Sequence, residues 1–446
     1  MRPLRFLTYL AAPAALVALT LAAPRSAVVP PAVRFDVDRA IADLRSLAND
    51  CTHRRPETGC HRRAAAFVAQ QAKLARLDVS EQRFEGGLNV LAESRGKRPG
   101  VVVLAAHYDS VEGSPGAADD ASGVALVLEI ARTLQRWDAP RRTLRYAFFD
   151  REEDGLLGSK AYVASLSAAR RQEIEAAIAV EMPGFRGGSP VVHTFRQPHM
   201  PPAALVGRIL AAAPAVDVGD PSLGWLYPLA ARTVKIPFSA DDAPFRAGGV
   251  PAAFYSDSSF SNFYPHYHRP TDVTSEIDPD ALARAGDAIL RIVADLAAGP
   301  PVSREPGAWL PLGANVLGHN ALVAVAILLL LPLVFPAPGY PRFAGWLIVA
   351  AVGVATWLDP VVAVVLVAPM AYTASIGWLR LLGLLPTVAY VALLVLAAAR
   401  LGRSFEYDGG LAPAAVVLLA AVGLVLHRRQ TEHRRIAFPK KAPPSP

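Results

Sequence analysis

The sequence predicts an α/β domain, a mixed and mainly parallel sheet sandwiched between helices, followed by an α-helical membrane domain. Between residues 30 and 300, short β-rich runs alternate with amphipathic segments, which is the pattern of a sheet covered by helices on both faces. Residues 306–427, in contrast, contain only seven charged side chains, a composition typical of membrane spans. These two observations divide the chain into its main parts.

Composition and charge narrow the class of protein. The chain has 446 residues, of which 52% are hydrophobic and 19% charged, so a disordered, collagen-like or disulfide-stapled protein is excluded. The net charge of +7 lies at the two ends, because Arg2 and Arg5 precede the first apolar segment and a basic tail begins at Arg428. Between them, acidic and basic residues balance at 37 each. Positive residues that flank apolar segments orient membrane proteins, so we expect a lipid bilayer and no nucleic acid as a partner.

Residues 1–29 are predicted to be a signal peptide or an N-terminal membrane anchor. An apolar, Ala/Leu-rich run from Phe6 to about Ala23 follows the basic start. Cleavage after Ala23 fits a signal peptide, whereas Pro24 immediately after it disfavours cleavage, and the two interpretations stay open. Both of them export the segment that follows.

Residues 30–300 form the predicted soluble domain. Its two cysteines, Cys51 and Cys60, are the only ones in the chain; an exported domain allows a disulfide between them, and two buried thiols are the alternative. The strongest predicted elements are strands at 101–106, 144–149, 177–182 and 252–256, and helices at 62–75, 122–135 and 279–297.

A Pro-rich linker at 301–314 leads to the predicted membrane domain at 315–427, which ends in a basic cytoplasmic tail at 428–446. A basic start and a basic tail both favour the cytoplasm, which requires an even number of crossings. The N-terminal segment and about five further spans satisfy this condition, so we expect a multi-pass protein of the inner or plasma membrane with its soluble domain in the periplasm or outside the cell. The apolar runs lie near 316–335, 343–358, 360–374, 382–399 and 411–427.

Two polar clusters follow the first predicted strand. If the chain stays extended, His107 and Asp109 point the same way, so the histidine could bind a metal while the carboxylate fixes its tautomer; a surface histidine is the alternative. The pair Asp119-Asp120 precedes a predicted helix. A helix cap needs only one of the two, so the pair could also supply a carboxylate that bridges two cations.

Further acids and a second histidine follow the later strands. Glu152 and Glu153 come directly after the strand at 144–149, at the sheet edge where ligand sites form in α/β proteins. One of them can bind metal while the other acts as general base; a solvated acidic loop is the alternative. Glu181 ends the next predicted strand, and His268 lies in an aromatic-rich loop. Two histidines and several carboxylates form a ligand set that zinc accepts.

The order and wording of these motifs resemble the co-catalytic di-zinc exopeptidases, a family that includes bacterial secreted aminopeptidases, glutamate carboxypeptidase and glutaminyl cyclases. The resemblance spans about residues 35–297 and rests on the segments HYDS, GAADDASG, REEDGLLGS and YHRPTD. It implies the zinc exopeptidase fold, two zinc ions per chain and a peptide substrate. By this resemblance one zinc ion is held by His107 and Glu181, the other by Glu153 and His268, and Asp119 bridges them.

The resemblance also assigns the remaining site residues. Glu152 is expected to be the general base and acid, Asp109 to support His107, and Tyr267 to polarise the scissile carbonyl. The segment at 239–245 is similar to a pocket segment of the family, in which Asp241 matches the acid. Asp242 stands where the family usually has histidine, and this departure concerns substrate contacts.

The layout resembles multi-spanning members of the family, the endoplasmic-reticulum metallopeptidase and the fungal vacuolar membrane protease. We therefore expect a membrane-bound zinc aminopeptidase that removes N-terminal residues of peptides outside the cytoplasm with a water that bridges two zinc ions. A glutaminyl cyclase-like acyltransferase with one zinc ion is one alternative, and a receptor or transport component with a relict peptidase domain is another. Five spans exceed what anchorage requires, which suggests a homo-oligomer or a membrane partner.

Overall fold

A computed structural model describes most of the chain between residues 34 and 334. It describes residues 34–334 except 140, 195–198, 221–222, 224–225, 236–238, 305–308 and 313–314, together with 360–367, 385–402, 406–407 and the single residues 14, 26 and 28. The predicted apolar runs at 343–358 and 411–427, the tail at 428–446 and nearly all of residues 1–29 lie outside the described residues.

An eight-stranded sheet forms the centre of the domain. Its four inner strands run parallel to one another, and the two strands at one edge pair antiparallel with their neighbours. The two strands at the other edge pair parallel with each other and antiparallel with the inner strands, so the sheet is mixed as predicted. The spatial order is β1-β2-β4-β3-β5-β9-β6-β7. The strands are β1 Asp78–Phe84, β2 Gly87–Ser94, β3 Arg98–His107, β4 Arg142–Phe149, β5 Ile174–Glu181, β6 Val191–His193, β7 Asp217–Val218 and β9 Ala252–Ser256, and a separate short strand is β8 Val234–Lys235.

Helices cover the sheet on both faces, because successive side chains of a strand point to opposite sides. In β3, Val102, Leu104 and Ala106 belong to the larger apolar core, under α1, α2, α3 and α9, whereas Val103 and Ala105 belong to the core under α4 and α8. The helices are α1 Val37–Ala48, α2 Gly59–Leu74, α3 Gly123–Gln135, α4 Leu157–Ser165, α5 Ala168–Glu173, α6 Ala203–Ala212, α7 Tyr227–Thr233, α8 Asp242–Ala247 and α9 Pro279–Ala298.

The seven elements predicted above are confirmed within a few residues of their predicted bounds. The start of α9 shows why the local sequence is decisive. The carboxylate of Asp278 accepts hydrogen bonds from the backbone N–H groups of Asp280 and Ala281, and Pro279 occupies the first helical position, where a missing N–H costs nothing.

The chain after α9 continues along the same domain. A hairpin follows the buried side chain of Trp309, whose ring N–H donates a hydrogen bond to the carbonyl of Pro201 at 2.8 Å. The later elements are β10 Leu310–Leu312, β11 Asn315–Leu317, α10 His319–Val334, α11 Pro360–Val362, α12 Leu385–Leu401 and β12 Glu406–Tyr407. The helices α10 and α12 coincide with the predicted apolar runs at 316–335 and 382–399, but none of the helices among the described residues has both the length and the apolar character that crossing a bilayer requires.

The two cysteines are joined. Cys51 and Cys60 form a disulfide with their Cα atoms 5.9 Å apart, so the disulfide interpretation is confirmed and the interpretation as free thiols is wrong. The bond closes a short loop between α1 and α2, and this loop carries Arg54, a side chain that is completely buried.

Candidate metal centre

The predicted site residues meet at one edge of the sheet. His107 is the last residue of β3, and Glu181 is the last residue of β5. Glu152 and Glu153 lie on the turn after β4, and Asp119 lies in the tight turn that leads into α3. Because parallel strands end at the same edge, residues far apart in the sequence converge there.

The carboxylate of Asp119 lies between the two predicted histidine ligands. Its Oδ1 atom is 3.2 Å from Nε2 of His107, and its Oδ2 atom is 3.3 Å from Nε2 of His268. Oε2 of Glu181 lies 3.4 Å from the first of these nitrogens, and Oε2 of Glu153 lies 2.9 Å from the second. The structure therefore brings all five predicted ligands into two half-sites that share Asp119.

The donor atoms of this cluster fit a metal ion. Among the described residues, His107 Nε2, Asp119 Oδ2, Glu153 Oε1 and Glu181 Oε1 are buried without a hydrogen-bond partner. Buried polar atoms without a partner are costly, and a cation coordinated by nitrogen and carboxylate oxygen removes that cost. The ligand atoms of His107, Asp119 and Glu153 lie within 4.8 Å of one another, as a shared centre requires.

Asp120 is also within coordinating reach of His107 and Glu181, but its carboxylate has other partners. Its Oδ1 atom accepts hydrogen bonds from the backbone N–H groups of Gly123 and Met182, both at 3.1 Å. These bonds tie the start of α3 to the residue after β5. The two members of the acidic pair thus differ: Asp119 faces the histidines, and Asp120 fastens the elements that carry them.

Asp109 connects the histidine to the glutamate turn. Its Oδ1 atom lies 3.4 Å from Nδ1 of His107 and accepts the backbone N–H of Glu152 at 3.1 Å. Its Oδ2 atom accepts the backbone N–H of Glu153 at 3.2 Å. The carboxylate of Asp109 therefore lies beside the histidine, as predicted, and also orients the glutamate turn.

Two residues of the site were not found by sequence reasoning. Asp272 accepts the backbone N–H groups of Ala118 and Asp119 and the hydroxyl of Tyr264, which fixes the turn that carries the shared carboxylate. Arg54 donates hydrogen bonds to the carbonyl of Tyr108, just after β3, and to the carbonyl of Gly116, in the turn before α3. Neither role leaves a local pattern, although Asp272 lies within the segment YHRPTD.

The electrostatics of the cluster favour positive charge. Burial alone would lower the pKa of His107, but Glu181, Glu152 and the adjacent carboxylates of Asp109 and Asp119 raise it well above its usual value. Burial and the neighbouring acids Glu181 and Asp241 raise the pKa of Glu152 well above that of a free glutamate. A raised pKa makes a carboxyl a stronger base, as a group that accepts a proton from water requires.

A pocket opens from this centre toward apolar residues. It encloses about 120 Å³, where a single water molecule needs roughly 10–15 Å³, so a large side chain fits. Glu152, Glu181 and Tyr267 are among its lining residues, and Tyr267 is stacked on the ring of His268 with 3.7 Å between ring centres. Burial and the nearby carboxylates raise the pKa of Tyr267, so its phenol keeps its proton.

The acids of the segment 239–245 are both buried. Burial and Glu181 raise the pKa of Asp241 to about 8 against the opposing effect of His107. Asp242, at the position where histidine was expected, pairs with the buried guanidinium of Arg246 at 2.7 Å. The departure from the family pattern is thus accommodated by an ion pair within α8.

Comparison with known proteins finds a match to a peptidase family over part of the chain. Residues 89–293 match peptidase family M28. The chain is 29% identical over 245 residues to the aminopeptidase YwaD of Bacillus subtilis, and the alignment covers 53% of this chain and 50% of that protein. It is 28% identical over 324 residues to the leupeptin-inactivating enzyme 1 of Streptomyces exfoliatus, and this alignment covers 66% of this chain and 68% of that protein. The chain thus spans about half the length of the first of these curated relatives.

Solved structures show the same fold. An aminopeptidase from Aneurinibacillus sp. strain AM-1 superposes with a TM-score of 0.51 at 18% identity, covering 61% of this chain and 97% of that one. A zinc aminopeptidase from Bacillus subtilis superposes with a TM-score of 0.51 at 18% identity, and the superposition covers 59% of this chain and 96% of that one. At this identity the similarity establishes the architecture of the domain.

Proposed function

From the peptidase family M28 domain that this chain carries, we propose that the protein is a membrane-bound zinc aminopeptidase that acts on peptides outside the cytoplasm with two zinc ions. The observation that carries the proposal is the carboxylate of Asp119, which presents one oxygen to His107 and the other to His268. A shared carboxylate between two nitrogen ligands is the arrangement that a pair of zinc ions requires. The names of the relatives, which are aminopeptidases, support the reaction class.

In this proposal His107 and Glu181 would hold one zinc ion, Glu153 and His268 would hold the other, and Asp119 would be available to both. When bound, the zinc ions supply Lewis-acid chemistry, which activates a water molecule and stabilises negative charge on the carbonyl oxygen. The unpartnered buried atoms described above are the chain's own support for this ligand set.

Glu152 is the proposed proton carrier. Its carboxylate lies beside the ligand cluster, 3.9 Å from Nε2 of His107, and it lines the pocket. With its raised pKa it takes a proton from the attacking water and returns it to the departing amine. Tyr267 keeps its phenol proton and donates a hydrogen bond to the substrate carbonyl from the pocket wall.

The acidic residues of the pocket favour a free amino terminus. Asp119, Glu152 and Glu181 line the pocket, and an ammonium group is attracted to clustered carboxylates. Acetylation of the substrate removes that charge. An aminopeptidase therefore fits the site better than an enzyme that recognises a peptide carboxylate.

The proposed membrane attachment rests on composition and on one helix surface. Residues 306–427 carry seven charges, and α12 exposes a row of apolar side chains in which Val388 is 61% and Val395 is 63% exposed. A bilayer provides an apolar environment for such surfaces. We expect the full-length protein to sediment with membranes after alkaline carbonate extraction, and release into the supernatant would contradict this part of the proposal.

Kinetic and metal measurements on detergent-solubilised protein test the proposed activity. We expect hydrolysis of unblocked aminoacyl amides, loss of hydrolysis on N-acetylation, inhibition by a chelator and two zinc ions per chain by elemental analysis. Glu152→Gln should lower kcat by roughly 10²–10⁴-fold and keep the zinc content. The exposed Glu85→Gln serves as the matched control and should leave both unchanged. Full turnover in Glu152→Gln, or one zinc per chain in active wild type, contradicts the mechanism.

A further inference from the structure

A buried histidine pairs with the residue that begins the glutamate turn, the turn after β4 that carries Glu152 and Glu153. His61 lies in the first turn of α2, and its Nε2 atom is 2.7 Å from Oδ1 of Asp150. Asp150 directly follows β4, two positions before Glu152. Both side chains of the pair are buried. The pair therefore joins α2 to the start of the turn.

The carboxylate of Asp150 is held at both of its oxygens. The imidazole of His61 donates a hydrogen bond to Oδ1, because an ionised carboxylate has no donor, and the backbone N–H of Leu88 donates to Oδ2 at 2.8 Å. The backbone N–H of Asp150 in turn donates to the side-chain carbonyl of Asn89 at 3.1 Å. Leu88 and Asn89 belong to the neighbouring strand β2, whereas His61 belongs to a helix. The helix thus fixes a side chain that the sheet alone holds at one oxygen.

The chain turns sharply between Asp150 and Glu152. Arg151 has a φ of 58°, in the left-handed region that is unfavourable for residues other than glycine. Such a conformation persists only where the surrounding structure holds it. After this residue, Asp109 accepts the backbone N–H groups of Glu152 and Glu153, as described above. Before it, Asp150 is anchored to His61, so the turn is held at both ends.

His61 is itself fixed in place. Its backbone N–H donates a hydrogen bond to Oγ1 of Thr58, the N-cap residue of α2, at 3.1 Å. The preceding residue, Cys60, is part of the disulfide. The imidazole packs against the ring of Tyr108, with 5.2 Å between ring centres. An imidazole that is held in this way can set the position of Asp150.

We propose that His61 is a positioning residue, which fixes the glutamate turn through Asp150 and so places the carboxylate of Glu152 for proton transfer. This inference rests on the aminopeptidase function proposed above and adds a residue to its machinery. A general base must lie within hydrogen-bond reach of the proton that it removes, and a displacement of about 1 Å can lower turnover by about 10²-fold. Loss of the imidazole therefore slows turnover and leaves substrate binding nearly unchanged.

The kinetic test measures hydrolysis of leucyl 4-nitroanilide by detergent-solubilised full-length protein with zinc in excess. His61→Phe keeps an aromatic ring against Tyr108 but has no donor for Asp150, so we expect kcat to fall about tenfold or more and KM to stay within about twofold. The amide nitrogen of His61→Gln lies as many bonds from Cα as Nε2 does, so kcat should return to within about threefold of wild type. Arg62→Gln changes the exposed neighbour in the same helix and should alter neither constant.

Hydrogen exchange followed by mass spectrometry provides a readout that does not depend on activity. In His61→Phe the backbone amides of residues 150–156 should exchange about fivefold faster or more than in wild type, because the turn opens more often. The amides of β5 should exchange at the wild-type rate, which shows that the domain remains folded. His61→Gln and Arg62→Gln should keep the wild-type rate in both segments.

The outcomes separate this inference from the function on which it rests. If wild type does not cleave the substrate but exchange changes as expected, the aminopeptidase function fails and His61 still holds the turn. If wild type cleaves it and kcat of His61→Phe stays within twofold of wild type, the inference is wrong and the aminopeptidase function stands. A rise in KM at unchanged kcat, unchanged exchange of residues 150–156 in His61→Phe, or a kcat of His61→Gln as low as that of His61→Phe also overturns it.

Discussion

Arg54 is the clearest target for a test of how the metal centre is supported. Its side chain is completely buried, and it donates hydrogen bonds to the carbonyls of Tyr108 at 2.8 Å and Gly116 at 3.0 Å, with a further close contact to the carbonyl of Pro115. Burial lowers the pKa of its guanidinium, and the nearby Asp272 opposes this shift. The group remains charged, because arginine does not lose its proton in proteins.

The structure sets the size of the expected effect. A hydrogen bond from a charged donor contributes about 1.5–3 kcal/mol, and removal of one partner from a buried charged contact costs about 3–5 kcal/mol. Arg54→Met keeps most of the volume but removes the guanidinium donor from the carbonyls of Tyr108, Asp109, Pro115 and Gly116. We expect the free energy of unfolding to fall by about 4 kcal/mol, and Arg54→Lys, which keeps the charge but not the planar fork, to lose about half of that.

Urea unfolding followed by intrinsic fluorescence measures this loss. With a slope of about 2–3 kcal/mol/M, the midpoint for Arg54→Met should fall by roughly 1.5–2 M. Arg55→Met is the matched control, because the neighbouring Arg55 is 46% exposed and only 3.7 Å from Asp154, so we expect a change below about 1 kcal/mol. An Arg54→Met protein as stable as wild type, or an Arg55→Met protein equally destabilised, would refute the reasoning.

Three further predictions concern stability. Replacing Cys51 and Cys60 together by serine should cost about 2–3 kcal/mol in urea unfolding, because the short disulfide loop is no longer closed in the unfolded chain; an unchanged midpoint contradicts this. Burial raises the pKa of Asp257 to about 6, so the folded protein binds a proton there more tightly than the unfolded chain does, and lower pH favours folding. The free energy of unfolding of wild type minus that of Asp257→Asn should therefore rise by roughly 2–3 kcal/mol as pH falls from 7 to 4. A difference that stays constant over this range argues against it. A chelator should lower the melting temperature by several degrees and added zinc should restore it, because Asp119 and Glu153 repel each other without a cation, and an unchanged melting temperature would count against the metal centre.

Much of the fold follows from local sequence. The strands that end at His107 and Glu181 are apolar runs with polar residues directly after them, and the structure has both strands as predicted. The resemblance to the zinc exopeptidases assigned the five predicted ligands, which lie at or after the ends of elements. Their convergence follows from parallel strands that share one edge.

The supporting residues could not be predicted in the same way. Arg54 acts on backbone carbonyls more than fifty residues away, and a carbonyl belongs to every residue, so no sequence pattern marks the contact. The cysteine pair stayed open because a disulfide depends on a Cα separation that the sequence does not contain. The apolar run of α12 gives the same signal whether lipid or a protein surface covers it, and its contact with the pocket depends on tertiary packing alone.

The division of the pocket between two regions of the chain has an evolutionary consequence. The groups proposed for bond cleavage lie between residues 107 and 268, whereas Leu393 and Ala397, which line the same pocket, belong to a separate C-terminal stretch. Mutation or exchange of that stretch can change the lining of the pocket without disturbing the residues proposed to bind metal. Paralogues that keep one reaction and differ in substrate specificity would arise readily from such an arrangement.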